Sequence, residues 1–195
     1  NTIVIFSSDN GPVLDDGYQD RARELRGDHS PAGPLRGGKY SMFDGGTRVP
    51  FILSWPGTVE VGESDALVSH VDFHASFAAM TDRQLGADEA PDSIDVLDAL
   101  LGKSASGRDD LVPEGPRAKT LLRKGDWVFI PPHEGPAVNQ HTDTELGNSP
   151  DAQLYDLSQD IGQIKNIATE RGDVVEELSA HLQRVIEGEG TRPTR

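Results

Sequence analysis

Two side chains with hard oxygen donors follow the first apolar stretch of the chain. Asp9 offers a carboxylate and Asn10 an amide oxygen, and Gly11 comes directly after them. Donors of these kinds suit a calcium or magnesium ion. Calcium takes about six to eight oxygens, so the other ligands must come from substrate, water or chain outside this sequence. The pair predicts part of a divalent-cation site, and an ordinary turn after a strand is the alternative.

A cation follows two glycines in the second candidate site. Gly37 and Gly38 precede Lys39, and Arg36 stands just before them. Glycines let the backbone come close to a ligand, and backbone amides beside an ammonium can bind a tetrahedral oxyanion. The block therefore predicts a sulfate or phosphate site at Lys39, with Arg36 as a second substrate-binding cation.

Two short apolar strands are expected to position these groups. Thr2–Phe6 is uncharged and rich in β-branched residues, which predicts a strand buried on both faces in a parallel sheet. Val49–Ser54 predicts a second strand. Ligands of open α/β sheets bind beyond the carboxyl ends of the strands, where Asp9 and Asn10 lie.

A long charged loop connects the two candidate sites. Residues 13–33 predict one short helix over Asp20–Leu25 and otherwise irregular chain, and loops of this length are uncommon unless functional. We expect the loop to overhang the pocket, and a solvated surface insertion is the alternative. Its candidates for contacting substrate are Asp15, Asp16, Arg23 and His29. The imidazole of His29 could bond a sugar hydroxyl or assist a leaving group.

The rest of the chain predicts helices followed by a small antiparallel sheet. The predicted elements are a helix capped by Asp72, a short helical segment within 91–102, a hairpin of Lys119–Arg123 and Trp127–Ile130, a strand at Leu154–Leu157 and an amphipathic helix at Gly172–Gly188. Gly, Ser, Pro and Asp dominate 103–116, so we predict a domain portion at 1–102, a linker at 103–118 and a small α+β subdomain at 119–195. The loop at 131–150 carries His133, which could help to select substrate or belong to an inert loop.

Composition narrows the classes of partner. The net charge of −15 argues against nucleic acid, which is bound by clustered Lys and Arg. No apolar stretch is long enough to predict a membrane span. The absence of Cys excludes disulfides and zinc-thiolate sites within these residues.

Four blocks of sequence resemble one family. In chain order they are IVIFSSDNGP, LRGGKYSMFDGGTRVPFILSWPG, SHVDFHASFAAM and QLYDLSQDIGQIKNIA. Together they resemble the second half of a type I sulfatase, of the arylsulfatase family in the alkaline phosphatase superfamily. The resemblance implies an α/β fold: a partial alkaline-phosphatase-like sheet with flanking helices, then a small antiparallel sheet and a terminal helix. It also implies that Asp9 and Asn10 bind calcium and that Lys39 holds the sulfate ester.

The same resemblance carries expectations about activity. The family's nucleophile is a formylglycine made from Cys or Ser in a Cys/Ser-x-Pro-x-Arg motif, and no such motif occurs here. We therefore expect the nucleophile in a missing N-terminal half, and we expect this fragment alone to be inactive. The resemblance implies a periplasmic or secreted enzyme that hydrolyses a sulfate monoester, with a sulfated carbohydrate or an aryl sulfate as the expected substrate. The alternatives are a phosphate or phosphonate monoester hydrolase and a non-catalytic carbohydrate-binding relative.

Overall fold

A computed structural model of the chain describes residues 2–18, 20–188 and 191–192. Its strands are β1 (Val4–Ser7), β2 (Phe51–Ser54), β3 (Asp110–Leu111), β4 (Glu114–Gly115), β5 (Lys119–Thr120), β6 (Leu122–Lys124), β7 (Trp127–Ile130), β8 (Val138–Asn139), β9 (Thr144–Glu145) and β10 (Gln153–Asp156). Its helices are α1 (Ala22–Leu25), α2 (Asp44–Thr47), α3 (Phe73–Met80), α4 (Leu97–Leu100) and α5 (Gly172–Glu187). The predicted mixed α/β class is confirmed.

The chain divides into two compact units. The first comprises Asn1–Phe6, Phe51–Leu111 and His181–Arg195, and the second comprises Ser7–Pro50 and Val112–Ala180. Each unit combines segments that are distant in sequence, so the units do not coincide with the predicted boundaries at 102 and 119. The division of the chain at those boundaries stays a prediction. The stretch predicted as a linker contains the short strands β3 and β4.

In the first unit, β1 and β2 form a two-stranded sheet within the described residues. Burial alternates along β1, and Val4 and Phe6 are 58% and 63% exposed. The prediction that this strand is buried on both faces is therefore wrong for the described residues. The reason is that no further described strand or helix covers the face that carries Val4 and Phe6.

The core of the first unit is built around α4. Val96, Ala99 and Leu100 are buried, and Phe51 and Phe73 pack against them. The predicted helix begins after Asp72, as α3, and is preceded by one 3₁₀ turn. Asp72 is fully buried because its carboxylate accepts hydrogen bonds from the Ser69 and Ile94 amides at 3.1 Å and pairs with Arg108 at 2.5 Å. This buried network fixes the start of α3.

In the second unit, β6, β7 and β10 form an antiparallel array with β7 in the centre. Lys124 lies opposite Trp127, so the predicted hairpin is confirmed. Residues on both faces of β7 are buried, and the core on the face of Val128 and Ile130 also contains Met42, Phe43, Leu121 and Tyr155. Met42 and Phe43 follow the Gly-Gly-Lys block, so this core anchors the block from its C-terminal side.

Within the described residues, no helix combines the length and apolar character that crossing a membrane requires.

Candidate functional site

The candidate cation site lies in the turn after β1, inside the second unit. Ser7 Oγ donates a hydrogen bond to the Pro50 carbonyl at 2.8 Å, and Ser8 Oγ donates to the Asn10 carbonyl at 2.9 Å. Asn10 Nδ2 donates to the Gly11 carbonyl at 3.0 Å. These bonds fix the turn and leave the amide oxygen of Asn10 as the atom suited to a cation, while Asp9 is exposed.

Asp9 and Asn10 fit calcium by donor type, since a carboxylate and an amide oxygen are both hard ligands. One donor of Asn10 Nδ2 bonds the Gly11 carbonyl, and Oδ1 is the acceptor that could face a cation. Among the described residues no cluster of three or more acidic, His or Cys side chains could hold a metal ion. Calcium at this pair would need further ligands from other groups, and the metal role of Asp9 and Asn10 stays a prediction.

Three backbone hydrogen bonds link this turn, the Gly-Gly-Lys block and the glycine pair at 45 and 46 to one another. Gly11 N donates to the Gly46 carbonyl at 2.9 Å, Lys39 N donates to the Pro12 carbonyl at 2.9 Å, and Gly45 N donates to the Arg36 carbonyl at 2.8 Å. The backbone of Lys39 thus lies one hydrogen bond away from the turn that carries Asp9 and Asn10. The backbones of the two predicted sites are therefore adjacent, while a ligand shared by Lys39, Asp9 and Asn10 stays a prediction.

The glycines make that closeness possible. A Cβ on Gly11 would lie 1.7 Å from the Gly45 carbonyl oxygen, and a Cβ on Gly38 would lie 2.5 Å from the Pro12 carbonyl oxygen. The sequence predicts that the glycine pair at 37 and 38 allows close approach by a ligand. The structure gives another reason, because a Cβ on Gly38 would meet the Pro12 carbonyl and a Cβ on Gly37 would meet the Ser41 side chain.

Lys39 carries the ammonium of the site. Its Nζ donates to Asp16 Oδ2 at 2.8 Å, and the Tyr40 hydroxyl donates to the same carboxylate at 2.9 and 3.0 Å. The hydrogen bond that Lys39 donates to Asp16, followed by its hydrogen bond with Tyr40, raises the pKa of Lys39 above its ordinary value. The bond from Lys39 in turn lowers the pKa of Asp16. Lys39 is therefore protonated throughout the neutral range, and its side chain is 31% exposed.

Arg36 is committed to protein partners. Nε and Nη2 donate to the two oxygens of Glu145 at 2.9 and 2.7 Å, and Nη1 donates to the Gln163 carbonyl at 2.7 Å. The guanidinium carbon lies 4.0 Å from the centre of the Phe43 ring. The prediction that Arg36 binds substrate stays a prediction, and these contacts favour a role in holding the block together.

The two histidines predicted to bind substrate, His29 and His133, have hydrogen-bond partners other than Lys39 and Arg36. His29 is exposed, and its backbone carbonyl accepts a hydrogen bond from Arg26 at 2.8 Å. His133 is half-buried, and its Nε2 lies 3.1 Å from the Thr120 carbonyl oxygen. Their substrate-binding roles stay predictions.

The other loop candidates have clear partners. Asp16 pairs with Lys39, whereas Arg23 lies 3.5 Å from Asp15 and 3.8 Å from Asp143. From the sequence, Asp16 is one of several candidates, and nothing links it to Lys39. Tyr40 is not a candidate, because no spacing rule links a residue in a turn to a carboxylate in a distant loop.

An open cavity of about 590 Å³ lies beside the candidate cation site. Asn10 and Gly11 contribute to its wall, and Pro31, Leu35 and Arg48 are among the residues opposite. Lys39 and Asp16 are not part of the lining. The Lys39–Asp16 pair therefore lies outside this cavity, whereas the strand-end turn forms part of its wall.

Comparison with known proteins defines the class. Residues 1–82 match the family model described as Sulfatase. The chain is 46% identical over 185 residues to an N-acetylgalactosamine-6-O-sulfatase of Bacteroides thetaiotaomicron, which covers 95% of the chain and 36% of that protein. It is 31% identical to human arylsulfatase A over 85% of the chain and 33% of that protein.

Solved structures give the same result for the fold. A structure described under the metabolism of multiple glycosaminoglycans by Bacteroides thetaiotaomicron superimposes with a TM-score of 0.91 at 46% identity, covering 95% of this chain and 38% of that one. The PsFucS1 sulfatase from Pseudoalteromonas sp. superimposes with a TM-score of 0.71 at 22% identity, over 95% of this chain and 37% of that one, and shows the fold alone.

The fold and the match of residues 1–82 are those of the sulfatases, in the alkaline phosphatase superfamily. The chain belongs to the sulfatase family. It spans little more than a third of the length of the curated relatives quoted above.

Proposed function

We propose that the full-length protein hydrolyses a sulfate monoester of a carbohydrate, and that its substrate carries a 6-O-sulfate on N-acetylgalactosamine. The observation that carries the proposal is the hydrogen bond from the Lys39 amide to the Pro12 carbonyl, which brings an ammonium-bearing turn beside the Asp9–Asn10 turn. The substrate is suggested by the name of the relative that is 46% identical over 95% of this chain.

In this proposal Lys39 binds the sulfuryl oxygens. Asp16 occupies one direction around its ammonium, and an ammonium has three donors, so donors remain for an anion. Negative charge develops on the ester oxygens in the transition state, and a fixed ammonium stabilises it at little reorganisation cost. Asp9 and Asn10 would hold calcium, which when bound supplies further positive charge near the same oxygens.

In this proposal, residues outside the present sequence supply the nucleophile. The family's formylglycine motif is not among these 195 residues. We propose that an N-terminal half contributes it, and that the protein is periplasmic or secreted. His29 and His133 are proposed contacts to the sugar, since an imidazole can hydrogen-bond a hydroxyl.

The test of the reaction class is a substrate panel on the full-length protein. The panel contains N-acetylgalactosamine 6-sulfate, an aryl sulfate, the corresponding aryl phosphate and a phosphonate monoester. We expect the highest kcat/KM on the sulfated sugar. Preference for phosphate or phosphonate would replace the proposal with phosphoryl hydrolysis, and no turnover of any ester would favour a carbohydrate-binding protein.

The calcium site has its own test. Calorimetry on the full-length protein, stripped with a chelator, should show calcium binding that weakens about tenfold or more in Asp9→Ala. Asp173→Ala, an exposed carboxylate at the start of α5, is the matched control and should bind calcium as the unchanged protein does. Equal calcium affinity in all three proteins would remove Asp9 from the site.

A further inference from the structure

Tyr40 occupies a backbone position that disfavours its side chain. Ser41 N donates to the Gly38 carbonyl at 2.9 Å, which closes a turn with Lys39 and Tyr40 in the centre. Tyr40 has φ 77°, as the third residue of a type II turn does, where Gly or Asn is usual. A bulky residue in this left-handed region is strained. Strain of this kind persists where surrounding contacts offset it, often at functional sites.

The contacts of Tyr40 involve its neighbour in the turn. The hydroxyl donates to Oδ2 of Asp16 at 2.9 Å, and Lys39 Nζ donates to the same oxygen at 2.8 Å. Lys39 Nζ also lies 5.1 Å from the centre of the Tyr40 ring, within cation–π range. One aromatic side chain therefore fixes the carboxylate that holds the ammonium and contacts the ammonium as well.

An ordinary surface ion pair in the same unit looks different. Lys124 Nζ lies 3.0 Å from Glu177 Oε1, with side chains 38% and 65% exposed. The Lys39 and Asp16 side chains are 31% and 28% exposed, and a third side chain bonds the carboxylate. A Lys ammonium sits on a flexible four-carbon stem, so a single carboxylate limits its direction only loosely. The added hydroxyl and ring restrict it further.

We propose that Asp16 and Tyr40 are positioning residues that fix the direction from which the Lys39 ammonium meets the sulfuryl oxygens. The inference rests on the proposed function, because Lys39 must bind the ester for its direction to matter. Positioning acts mainly on the transition state, since a preorganised charge need not reorient during the reaction. Glycine at position 40 would relax the turn but would lack the hydroxyl and the ring that contact Asp16 and Lys39.

The first test uses Asp16→Asn and Tyr40→Phe in the full-length protein, with 4-nitrophenyl sulfate as the probe. We expect kcat to fall about tenfold in Asp16→Asn and about threefold in Tyr40→Phe, with smaller changes in KM. The melting temperature should move by less than about 2 °C, because partly exposed ion pairs stabilise little. Glu177→Gln, which breaks the comparison pair, should leave both quantities unchanged. Wild-type kcat in both site variants would overturn the proposal.

Tyr40→Gly separates the strain from the side chain. Glycine tolerates a positive φ, so this variant should fold with a melting temperature equal to or above the value for Tyr40→Phe. Its kcat should nevertheless fall at least as far as that of Asp16→Asn. Full activity in Tyr40→Gly would show that the turn alone matters and would contradict the proposal.

A double-mutant cycle distinguishes this inference from the proposed function. If Asp16 acts through Lys39, Asp16→Asn should reduce kcat/KM in the native background and cause no further loss in Lys39→Ala. Independent, additive losses would overturn the positioning role while leaving Lys39 in place. Undiminished turnover in Lys39→Ala alone would overturn the proposed function and the positioning role together.

Discussion

Arg36 and Lys39 stand on either side of the same glycine pair, and each pairs with a carboxylate. Arg36 gives two donors to Glu145 and a third to the Gln163 carbonyl. Lys39 gives one to Asp16. The two cations, three positions apart, therefore differ in the number of N–H donors that bond other groups of the protein. These contacts favour a framework role for Arg36 and support the proposed role of Lys39 in binding the ester.

The chemistry of the two cations explains the division. A guanidinium is a planar fork that matches a carboxylate with two parallel hydrogen bonds, and it stacks on aromatic rings. Arg36 does both, through Glu145 and Phe43. An ammonium is a compact charge that can bind one carboxylate and still face an oxyanion. Lys39 therefore still has N–H donors for an anion, whereas the main donors of Arg36 already bond Glu145 and the Gln163 carbonyl.

The largest expected effect comes from crowding the close contact between Gly11 and the glycine pair at 45 and 46. Gly11→Ala puts a Cβ 1.7 Å from the Gly45 carbonyl oxygen, and neither atom belongs to a flexible side chain. We expect the free energy of unfolding to fall by more than about 4 kcal/mol, or no folded protein, in denaturant titrations. Gly62→Ala, which meets nothing within 4 Å, is the control and should change stability by less than about 0.5 kcal/mol. Equal stability of the two variants would contradict the packing role of Gly11.

The second prediction separates the two cations by stability. Arg36→Ala removes a bidentate pair, a carbonyl contact and packing on Phe43, so the free energy of unfolding should fall by about 2–4 kcal/mol. Arg36→Lys keeps the charge but loses the fork, and should recover only part of that loss. If chemical denaturation shows Arg36→Ala to be as stable as the unchanged protein, the framework role is wrong.

Sequence patterns predict the local elements of this chain better than its partners. The β-branched run before Ser7, the hairpin at β6 and β7 and the helix after Asp72 each follow from neighbours in sequence. The burial of β1 does not, because coverage of a strand depends on which other strands are present. The same limit applies to side chains, since Glu145 is 109 positions from Arg36 and Asp16 is 23 positions from Lys39.

The positive-φ residues show a second limit. Gly37 has φ 82°, which glycine makes plausible from sequence, but Tyr40 has φ 77° and no sequence signal for it. Local preference would place glycine at position 40. Departures from local preference are expected where function competes with stability. The sequence therefore misses Tyr40, the residue of the candidate site whose backbone conformation disfavours its side chain.

The third prediction concerns pH. The Arg36 hydrogen bond lowers the pKa of Glu145 below its ordinary value of 4.5. The ion pair therefore stabilises the fold fully above that value, and the contribution is lost as pH falls through the lowered pKa. Glu145→Gln should cost about 1 kcal/mol at pH 7, because the pair is partly exposed. The difference from the unchanged protein should shrink in denaturant titrations between pH 5 and pH 3, and a difference independent of pH would contradict the ion-pair account.

The smallest effect is expected at His29. The residue is exposed, so His29→Ala should change the free energy of unfolding by less than about 0.5 kcal/mol. If the imidazole contacts the sugar, KM for the sulfated sugar should rise a few-fold while KM for a simple aryl sulfate stays the same. Equal KM values on both substrates would remove His29 from the substrate contacts.

The most direct test of the central claim is kcat/KM for Lys39→Ala in the full-length protein, measured beside Lys124→Ala and with the melting temperature of each. Loss of one charged stabiliser of the transition state predicts a decrease of about 100-fold or more for Lys39→Ala, with little change in melting temperature. Lys124→Ala should retain native turnover. Native turnover in Lys39→Ala, or a loss that merely follows unfolding, would contradict the assignment of Lys39 to the sulfate ester.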